Sequence, residues 1–394
     1  MSAQNVSTPG YTFGLKGDST KTGSGTQDPA SSPLYPFHKP GVAAELIATA
    51  NALVNPRGRG IYATDETPEG IAARLSACKP WSGSDAEAKE RRRAWRACLY
   101  SSMPKDHISG VILYTETLHD FELAPVLEKS GIIPGVRADN DSHPLPGSPA
   151  GEPATQGLDD LLPRMQRARA AGARFSKWRA PILCNASTLP TTAALEAQAE
   201  ALARFAAISQ QAGLVPIVEP DVDFAEDASL ERSVEVHQRF IGMIYSRCNA
   251  YGVLLEGSLI KPSFVQPGLR HNSRANTTAD DIALATATVL ARTIPVGVAG
   301  VVFLSGGLSD DDAAGYLNAI NSLKDREMRA LHTGETGQYA SLARLPRLTF
   351  SFGRGLQGNA MTKWAEGDEN GAKEAFAKRA EICYKAARGE LNAA

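Results

Sequence analysis

With 394 residues, of which 43% are hydrophobic and 21% charged, the chain has ample apolar material for a large core, which excludes a largely disordered protein. Its 41 Lys and Arg residues nearly balance 43 Asp and Glu residues, which argues against nucleic acid or an anionic membrane as the main partner. Five scattered cysteines without a CxxC pair, and the lack of a long apolar run or secretory signal, predict a soluble cytoplasmic protein with reduced thiols.

Residues 1–32 differ in composition from the rest of the chain. They are rich in Ser, Thr, Gly and Pro and show no sustained apolar period, so we interpret them as a flexible leader. A targeting role is the alternative, although this segment contains Asp18 and Asp28 and no arginine, unlike a typical transit peptide. Residues 33–394 are predicted to form one domain.

From residue 41 onward, short apolar runs alternate with longer segments of helical period. The runs that predict strands are 59–65, 110–115, 132–138, 173–180, 214–220, 252–262, 300–306 and 347–352. Helices are predicted at 85–101, 191–212, 229–249, 278–294 and 309–322. Eight strands with crossover helices indicate an α/β protein, a single (β/α)8 TIM barrel. Two doubly wound domains are the alternative, but no break in composition marks a boundary.

Charged residues stand at the carboxyl ends of several predicted strands, where barrel enzymes build their active sites. Asp65 ends the first run, Lys177 lies in the fourth, Glu219 ends the fifth and Lys261 ends the sixth. Each alone would be interpreted as an ordinary solvated or salt-bridged residue, whereas the four together predict a site. None of the seven histidines occupies such a position, so we interpret them as surface residues or hydrogen-bonded core residues.

Two lysines with two carboxylates at one barrel mouth predict amine catalysis. Burial and a neighbouring ammonium lower the pKa of a lysine, which can then add to a ketone as a neutral amine. The resulting iminium accepts electrons when the adjacent carbon–carbon bond breaks, and the carboxylates transfer the protons. This chemistry requires no metal and no cofactor.

Glycine-containing segments after the seventh and eighth runs predict phosphate sites, which recur at this place in TIM barrels. Free backbone N–H groups and an arginine can bind an anion there. The acids Asp310–Asp312 leave a second interpretation for the first segment, because acids also cap helices without a ligand. The candidate residues are Ser305, Gly306, Gly307, Gly353 and Arg354.

Motifs along most of the chain resemble the class I fructose-bisphosphate aldolase family. The resemblance extends from about residue 41 to about residue 389. It is carried by GRGIYATDET, ISGVILYTETL, TQGLDDLLPR, FSKWR, LVPIVEP, LEGSLIKP, GVVFLSGGLS and TFSFGRGLQ. The family's fold is a TIM barrel, its usual assembly is a homotetramer, and its substrate is a phosphorylated ketose.

The resemblance also implies roles for the catalytic candidates. Lys261 would form the Schiff base, and Lys177 would assist carbinolamine formation and carbon–carbon cleavage. Glu219 would be the acid and base for dehydration, Asp65 would position the substrate hydroxyl, and Asp221 would be a third carboxylate.

The phosphate ligands implied by the resemblance form two groups. One substrate phosphate would bind Ser305, Gly306 and Arg354. The other would bind Arg74, Arg137 and Arg179, with Arg137 standing where the family has a lysine. Thr67 is a further candidate for substrate or phosphate binding.

Several positions depart from the family pattern. Asp221 replaces a glutamate, Ser263 an asparagine and Phe352 a tyrosine, while Gly70 and Ala73 replace a serine and a lysine. The segment 323–346 is longer than the family's connection, and the chain ends in GELNAA rather than in a longer tail with a terminal tyrosine, from which we expect slow enamine protonation. Two alternatives therefore stand beside cleavage of fructose 1,6-bisphosphate: an imine aldolase for another phosphorylated ketose, or a scaffold protein that contacts partners such as cytoskeletal filaments.

Overall fold

A computed structural model describes residues 37–148, 150–335, 337 and 339–391. The predicted leader, residues 1–32, lies outside the described residues. In this part of the chain a closed ring of eight parallel strands is surrounded by helices, so the predicted (β/α)8 barrel is confirmed. No helix of the described residues combines the length and the apolar character needed to cross a bilayer.

The barrel strands follow one another around the ring in the order β1-β10-β9-β8-β7-β6-β3-β2, with β4 and β5 paired as a separate antiparallel hairpin. The strands of the described residues are β1 (Gly60–Thr64), β2 (Ile108–Leu113), β3 (Ile133–Arg137), β4 (Ser142–Pro144), β5 (Pro153–Thr155), β6 (Phe175–Ile182), β7 (Val215–Val222), β8 (Leu259–Ile260), β9 (Gly300–Phe303) and β10 (Arg347–Phe352).

Helices cover the outside of the ring, and most begin at a side chain that accepts a backbone N–H, as Ser84, Thr191 and Ser229 do. The helices of the described residues are α1 (Pro40–Val54), α2 (Pro68–Cys78), α3 (Asp85–Tyr100), α4 (Ala124–Lys129), α5 (Leu161–Ala170), α6 (Thr192–Gln211), α7 (Leu230–Ala250), α8 (Ala279–Thr293), α9 (Asp310–Thr333), α10 (Arg354–Glu366) and α11 (Glu369–Ala386).

Alternate residues of each strand face opposite sides, which divides the core in two. In β1, Tyr62 packs in the outer cluster with the surrounding helices, whereas Ile61 and Ala63 belong to the inner one. Helix α1 contributes buried residues to the inner cluster and so closes the barrel at the amino ends of the strands. The opposite, carboxyl end stays open for a site.

Two local predictions were wrong, and one hairpin was not predicted. The sixth run, predicted as 252–262, forms only the two-residue strand β8, because Leu255–Gly257 makes a 3-10 turn before it. The helix predicted at 309–322 continues to Thr333 and ends at Gly334 in a left-handed conformation, so the longer segment 323–346 begins as helix. The hairpin β4–β5 was missed, because its proline-rich sequence has no apolar alternation.

Candidate active site

Every second residue of a barrel strand faces the inside of the barrel. On this inner face, apolar side chains come first along the strand, and the charged candidates follow them towards its carboxyl end. In β6, Phe175 belongs to the inner cluster, and Lys177 and Arg179 follow at intervals of two. In β7, Glu219 and Asp221 follow the inner residue Ile217 in the same way. These two neighbouring strands thus direct ionic side chains to one mouth.

Lys177 lies at the centre of this charge cluster. Its Nζ is 2.6 Å from Asp65 Oδ2, 3.1 Å from Glu219 Oε2 and 3.8 Å from Asp139 Oδ1. All four side chains are largely buried, so these ion pairs act where water screens them weakly. The cluster therefore holds Lys177 as a fixed cation.

Lys261 stands beside the same cluster at the end of β8. The register pairs Val218 with Ile260, so Glu219 and Lys261 are the next residues on neighbouring strands. Lys261 Nζ lies 3.1 Å from Glu219 Oε1, on the opposite carboxylate oxygen from Lys177. Glu219 therefore bridges the two amines and can carry a proton between Lys261 and a group bound next to it.

The pKa of Lys177 corrects one expectation. Burial alone would lower it, but the charges of Asp65, Glu219 and Asp139 outweigh burial and raise the pKa above its ordinary value. The predicted lowering of the pKa by a second ammonium is wrong for Lys177. Three carboxylates lie within 3.8 Å of its Nζ, and their attraction exceeds the repulsion from neighbouring cations. Lys177 is suited to stabilising developing negative charge as an ammonium.

The pKa values of the neighbouring carboxylates are shifted by the lysines. Burial would raise the pKa of Asp65 and Glu219, but Lys177 and Lys261 outweigh it and hold both pKa values below their ordinary range. For Asp221 burial wins, and the pKa is raised although Arg179 Nε donates to Asp221 Oδ2 at 2.7 Å. Asp221 is thus the stronger candidate for an acid and Glu219 for a base.

Asp139 is a site residue that the sequence analysis missed. It follows Arg137 by two positions after β3, accepts from Arg137 Nε at 2.8 Å and accepts the Arg179 N–H at 3.2 Å. The same two-residue alternation that selects Lys177 and Arg179 also selects Arg137 and Asp139, and this signal could have found it.

The cavity at the mouth has two lobes that share Asp65, Glu66, Arg179, Glu219 and Lys261. The first lobe has a volume of ≈ 590 Å³, within the usual range for small-molecule sites. It is also lined by Arg137, Asp139, Asn140, Asp141, Ser142 and Lys177. The second lobe adds Arg74, Leu304, Ser305, Gly306, Ser351, Gly353 and Arg354.

The second lobe has the features of an anion site. Helix α10 opens into it with Gly353 as the capping residue, which has no side chain to accept the free N–H groups. A Cβ at Gly353 would lie 2.9 Å from the Ala63 carbonyl oxygen, so the close approach requires glycine. The buried Ser351 hydroxyl has no hydrogen-bond partner among the described residues, and the sequence analysis missed this donor.

Helix α9 differs from α10 at its first turn. Ser309 accepts the Asp312 N–H and donates to the Asp312 carboxylate, so the acids cap their own helix as the second interpretation held. Gly307, with a φ of 76°, lines a neighbouring cavity of ≈ 380 Å³ instead of the two lobes. Thr67 accepts the Gly70 N–H as the cap of α2 and lines neither lobe.

A partly buried ionic network holds Arg74 in the second lobe. Glu66 lies 3.2 Å from Arg74 Nη1 and 2.8 Å from Arg96 Nη2, and it accepts a bond from Gln357 Nε2. The structure therefore places Arg74 on the side of Ser305, whereas the resemblance had grouped it with Arg137. Within the described residues, no group of three or more His, Cys, Asp or Glu side chains is arranged to hold a metal ion.

Comparison with known proteins identifies the family. A family model described as fructose-bisphosphate aldolase class-I matches residues 45–394. Fructose-bisphosphate aldolase B of Gallus gallus is 37% identical over 373 residues, covering 92% of this chain and 93% of the relative. The non-muscle fructose-bisphosphate aldolase of Lethenteron camtschaticum is 38% identical over 366 residues, covering 91% and 93%.

A solved structure agrees with these relatives. The fructose-bisphosphate aldolase of Plasmodium falciparum, in complex with TRAP and a small-molecule inhibitor, superposes with a TM-score of 0.80 at 33% identity, covering 94% of this chain and 100% of that one. The resemblance inferred from the motifs is confirmed, and this chain belongs to the class I fructose-bisphosphate aldolase family of carbon–carbon lyases.

Proposed function

We propose that this enzyme reversibly cleaves fructose 1,6-bisphosphate to dihydroxyacetone phosphate and glyceraldehyde 3-phosphate through a Schiff base on Lys261. In this proposal it acts in glycolysis and gluconeogenesis, in the cytoplasm and as a homotetramer. The observation that carries the proposal is the two-lobed cavity. Lys261 and Glu219 line both lobes, with Arg137 in the first and Ser305 and Arg354 in the second. A ketose with a phosphate at each end fits this distribution of charge.

The reaction begins with addition of the neutral Lys261 amine to the substrate ketone. Glu219, a base 3.1 Å from Lys261 Nζ, takes the proton that frees this amine for attack. It then returns that proton to the carbinolamine hydroxyl, which leaves as water to give the iminium. The iminium draws electrons from the neighbouring carbon–carbon bond, so no metal is needed as a Lewis acid.

Cleavage requires removal of the proton from the substrate's C4 hydroxyl, and Glu219, again a carboxylate after the dehydration, accepts it. The C3–C4 electron pair moves into the iminium, which gives the enamine, and the aldehyde product departs. Asp65, held 2.6 Å from Lys177, is placed to orient that hydroxyl, while the Lys177 ammonium stabilises the developing alkoxide. Protonation of the enamine carbon and hydrolysis of the imine release dihydroxyacetone phosphate and restore the amine.

The proposal predicts a covalent adduct on Lys261. Incubation with dihydroxyacetone phosphate and borohydride should label this lysine, because reduction of the iminium leaves a stable secondary amine. Peptide mapping by mass spectrometry locates the label, and Lys261→Met should abolish it. EDTA should leave the cleavage rate unchanged.

Lys324 provides a matched control for this experiment. It is also buried, at 7% exposure, and burial with the charges of Arg347 and Arg57 lowers its pKa to about 8. Its Nζ donates to the Pro346 carbonyl outside the cavity, so Lys324→Met should retain the label on Lys261. A label on Lys324 or another lysine in the wild-type protein would contradict the mechanism.

The phosphate proposal predicts a reduced preference for the bisphosphate over fructose 1-phosphate. Gly70 and Ala73 lack the hydroxyl and the ammonium of the family pattern, and a hydrogen bond to a charged group contributes about 1.5–3 kcal/mol, or roughly 10–150-fold. Arg137 can restore part of this through its guanidinium. The ratio of kcat/KM for the two substrates should fall further in Arg137→Ala, and an unchanged ratio would assign the second phosphate elsewhere.

A further inference from the structure

After Lys261, backbone pairing with the β7 side is weak. Strand β8 ends at Ile260, and the Lys261 N–H donates to the Val218 carbonyl at 2.8 Å. Pro262 has no N–H to continue the ladder, and the Ser263 N–H reaches the Pro220 carbonyl only at 3.4 Å. On the other side, the Leu304 N–H after β9 donates to the Pro262 carbonyl at 3.1 Å, so it is on the β7 side that the chain after Lys261 needs a further contact.

A buried hydrogen-bond chain supplies that attachment. Ser263 Oγ accepts the Val222 N–H at 3.1 Å and lies 3.0 Å from His237 Nε2, and both side chains are 2% exposed. His237 Nδ1 lies 2.8 Å from the Ser233 carbonyl oxygen, which can only accept. Nδ1 must then carry the proton, so Nε2 accepts from the Ser263 hydroxyl. Burial lowers the pKa of His237 to about 4, which keeps the ring neutral in this tautomer.

We propose that His237 and Ser263 are positioning residues for the aldolase reaction, which hold Lys261 in register with Glu219. The inference rests on the proposed Schiff-base function. Val222 and Glu219 belong to the same strand β7, so the bond from Val222 to Ser263 ties the lysine segment to the strand that carries its proton-transfer partner. His237 anchors this bond to α7.

The position of Lys261 affects the reaction rate because the amine must attack the ketone in a defined geometry. Lys261 is separated from Ser263 by one rigid proline, so movement of Ser263 is transmitted to the lysine backbone. A misplacement of about 1 Å in a reacting group can reduce the rate by about 10²-fold. Neither residue contacts the cavity, so their effect should fall on the rate of the covalent step and not on substrate binding.

The test compares Ser263→Ala, His237→Leu and His237→Gln with the wild-type enzyme. The first two should lower kcat and the rate of borohydride trapping by about 10-fold or more, with KM changed by less than about threefold. Glutamine keeps an acceptor near the position of Nε2, so His237→Gln should recover most of the lost rate. The double variant Ser263→Ala/His237→Leu should lose no more than Ser263→Ala alone, because that variant already removes the contact with His237 together with the bond from Val222.

Ser109→Ala controls for a general loss of stability. Ser109 is also buried and donates to the Leu53 and Gly60 carbonyls at 2.6 and 3.0 Å, at the opposite end of the barrel. It should lower the melting temperature without changing the trapping rate. Equal trapping rates in Ser263→Ala, Ser109→Ala and wild type would overturn the positioning role. Absence of trapping on Lys261 in the wild-type enzyme would instead overturn the proposed function.

Discussion

Replacing Glu219 with glutamine should lower kcat about 10²–10⁴-fold, the usual contribution of a positioned acid or base. Glutamine keeps the shape and one oxygen of the side chain, but it cannot take up and release a proton. Glu219 reaches Lys261 and Lys177 at 3.1 Å each, so both the dehydration step and the alkoxide step lose a partner. Stopped-flow measurement of imine formation should show the loss in the first turnover.

Asp221→Asn is the matched control, because Asp221 lies on the same strand and lines the second lobe. Its carboxylate binds Arg179 at 2.7 Å instead of a lysine, so we expect a fall in kcat of about 10-fold or less. A loss in Asp221→Asn as large as in Glu219→Gln would transfer the acid role to Asp221, whose pKa is raised by burial.

The barrel could be predicted from the sequence because its strands are covered on both sides and appear as continuous apolar runs. Seven of the eight runs overlap a strand over most of their length. The sixth run does not, because Gly257 and Pro262 limit β8 to Leu259–Ile260. The number of apolar residues in the run does not indicate this limit. The hairpin β4–β5 depends on pairing across a polar, proline-rich loop, which leaves no periodic signal.

The catalytic group was predictable because residue types and strand ends coincide in Asp65, Lys177, Glu219 and Lys261. Asp139 and Ser351 were missed, because an aspartate in a polar loop and a serine within an apolar run are individually ordinary. The role of Ser263 depends on a contact with His237 across 26 residues, and such a contact appears only in the folded chain. The direction of the Lys177 pKa likewise depends on how many carboxylates surround it.

Replacing Lys177 with methionine should destabilise the fold by about 3–5 kcal/mol at neutral pH, the usual cost of removing one partner from a buried ionic cluster. The substitution leaves the buried carboxylates of Asp65, Glu219 and Asp139 without their shared cation. Urea denaturation between about pH 5 and pH 8 measures the effect, and the expected loss is a lower midpoint with an unchanged slope.

The pH dependence distinguishes lost charge pairing from lost packing. In the wild type, the lowered pKa values of Asp65 and Glu219 stabilise the fold above their unfolded pKa of about 4, and this stability is lost as pH falls through the folded values. In Lys177→Met, one of the cations that oppose the effect of burial on Asp65 and Glu219 is gone, so burial raises the folded-state pKa of both carboxyls. Their contribution to stability is then fully present below the unfolded pKa and is lost as pH rises through the folded pKa. The deficit relative to wild type should therefore grow from pH 5 to pH 8.

The same substitution at Lys324 provides the electrostatic control. Lys324 is buried near Arg57 and Arg347, and its pKa is lowered to about 8, so removing its charge relieves repulsion and offsets the lost bond to Pro346. Lys324→Met should therefore change the free energy of unfolding by less than about 1.5 kcal/mol at neutral pH. If both variants lose the same stability at every pH, packing of the lysine stem accounts for the effect, and Asp65 and Glu219 do not depend on Lys177 for their charge.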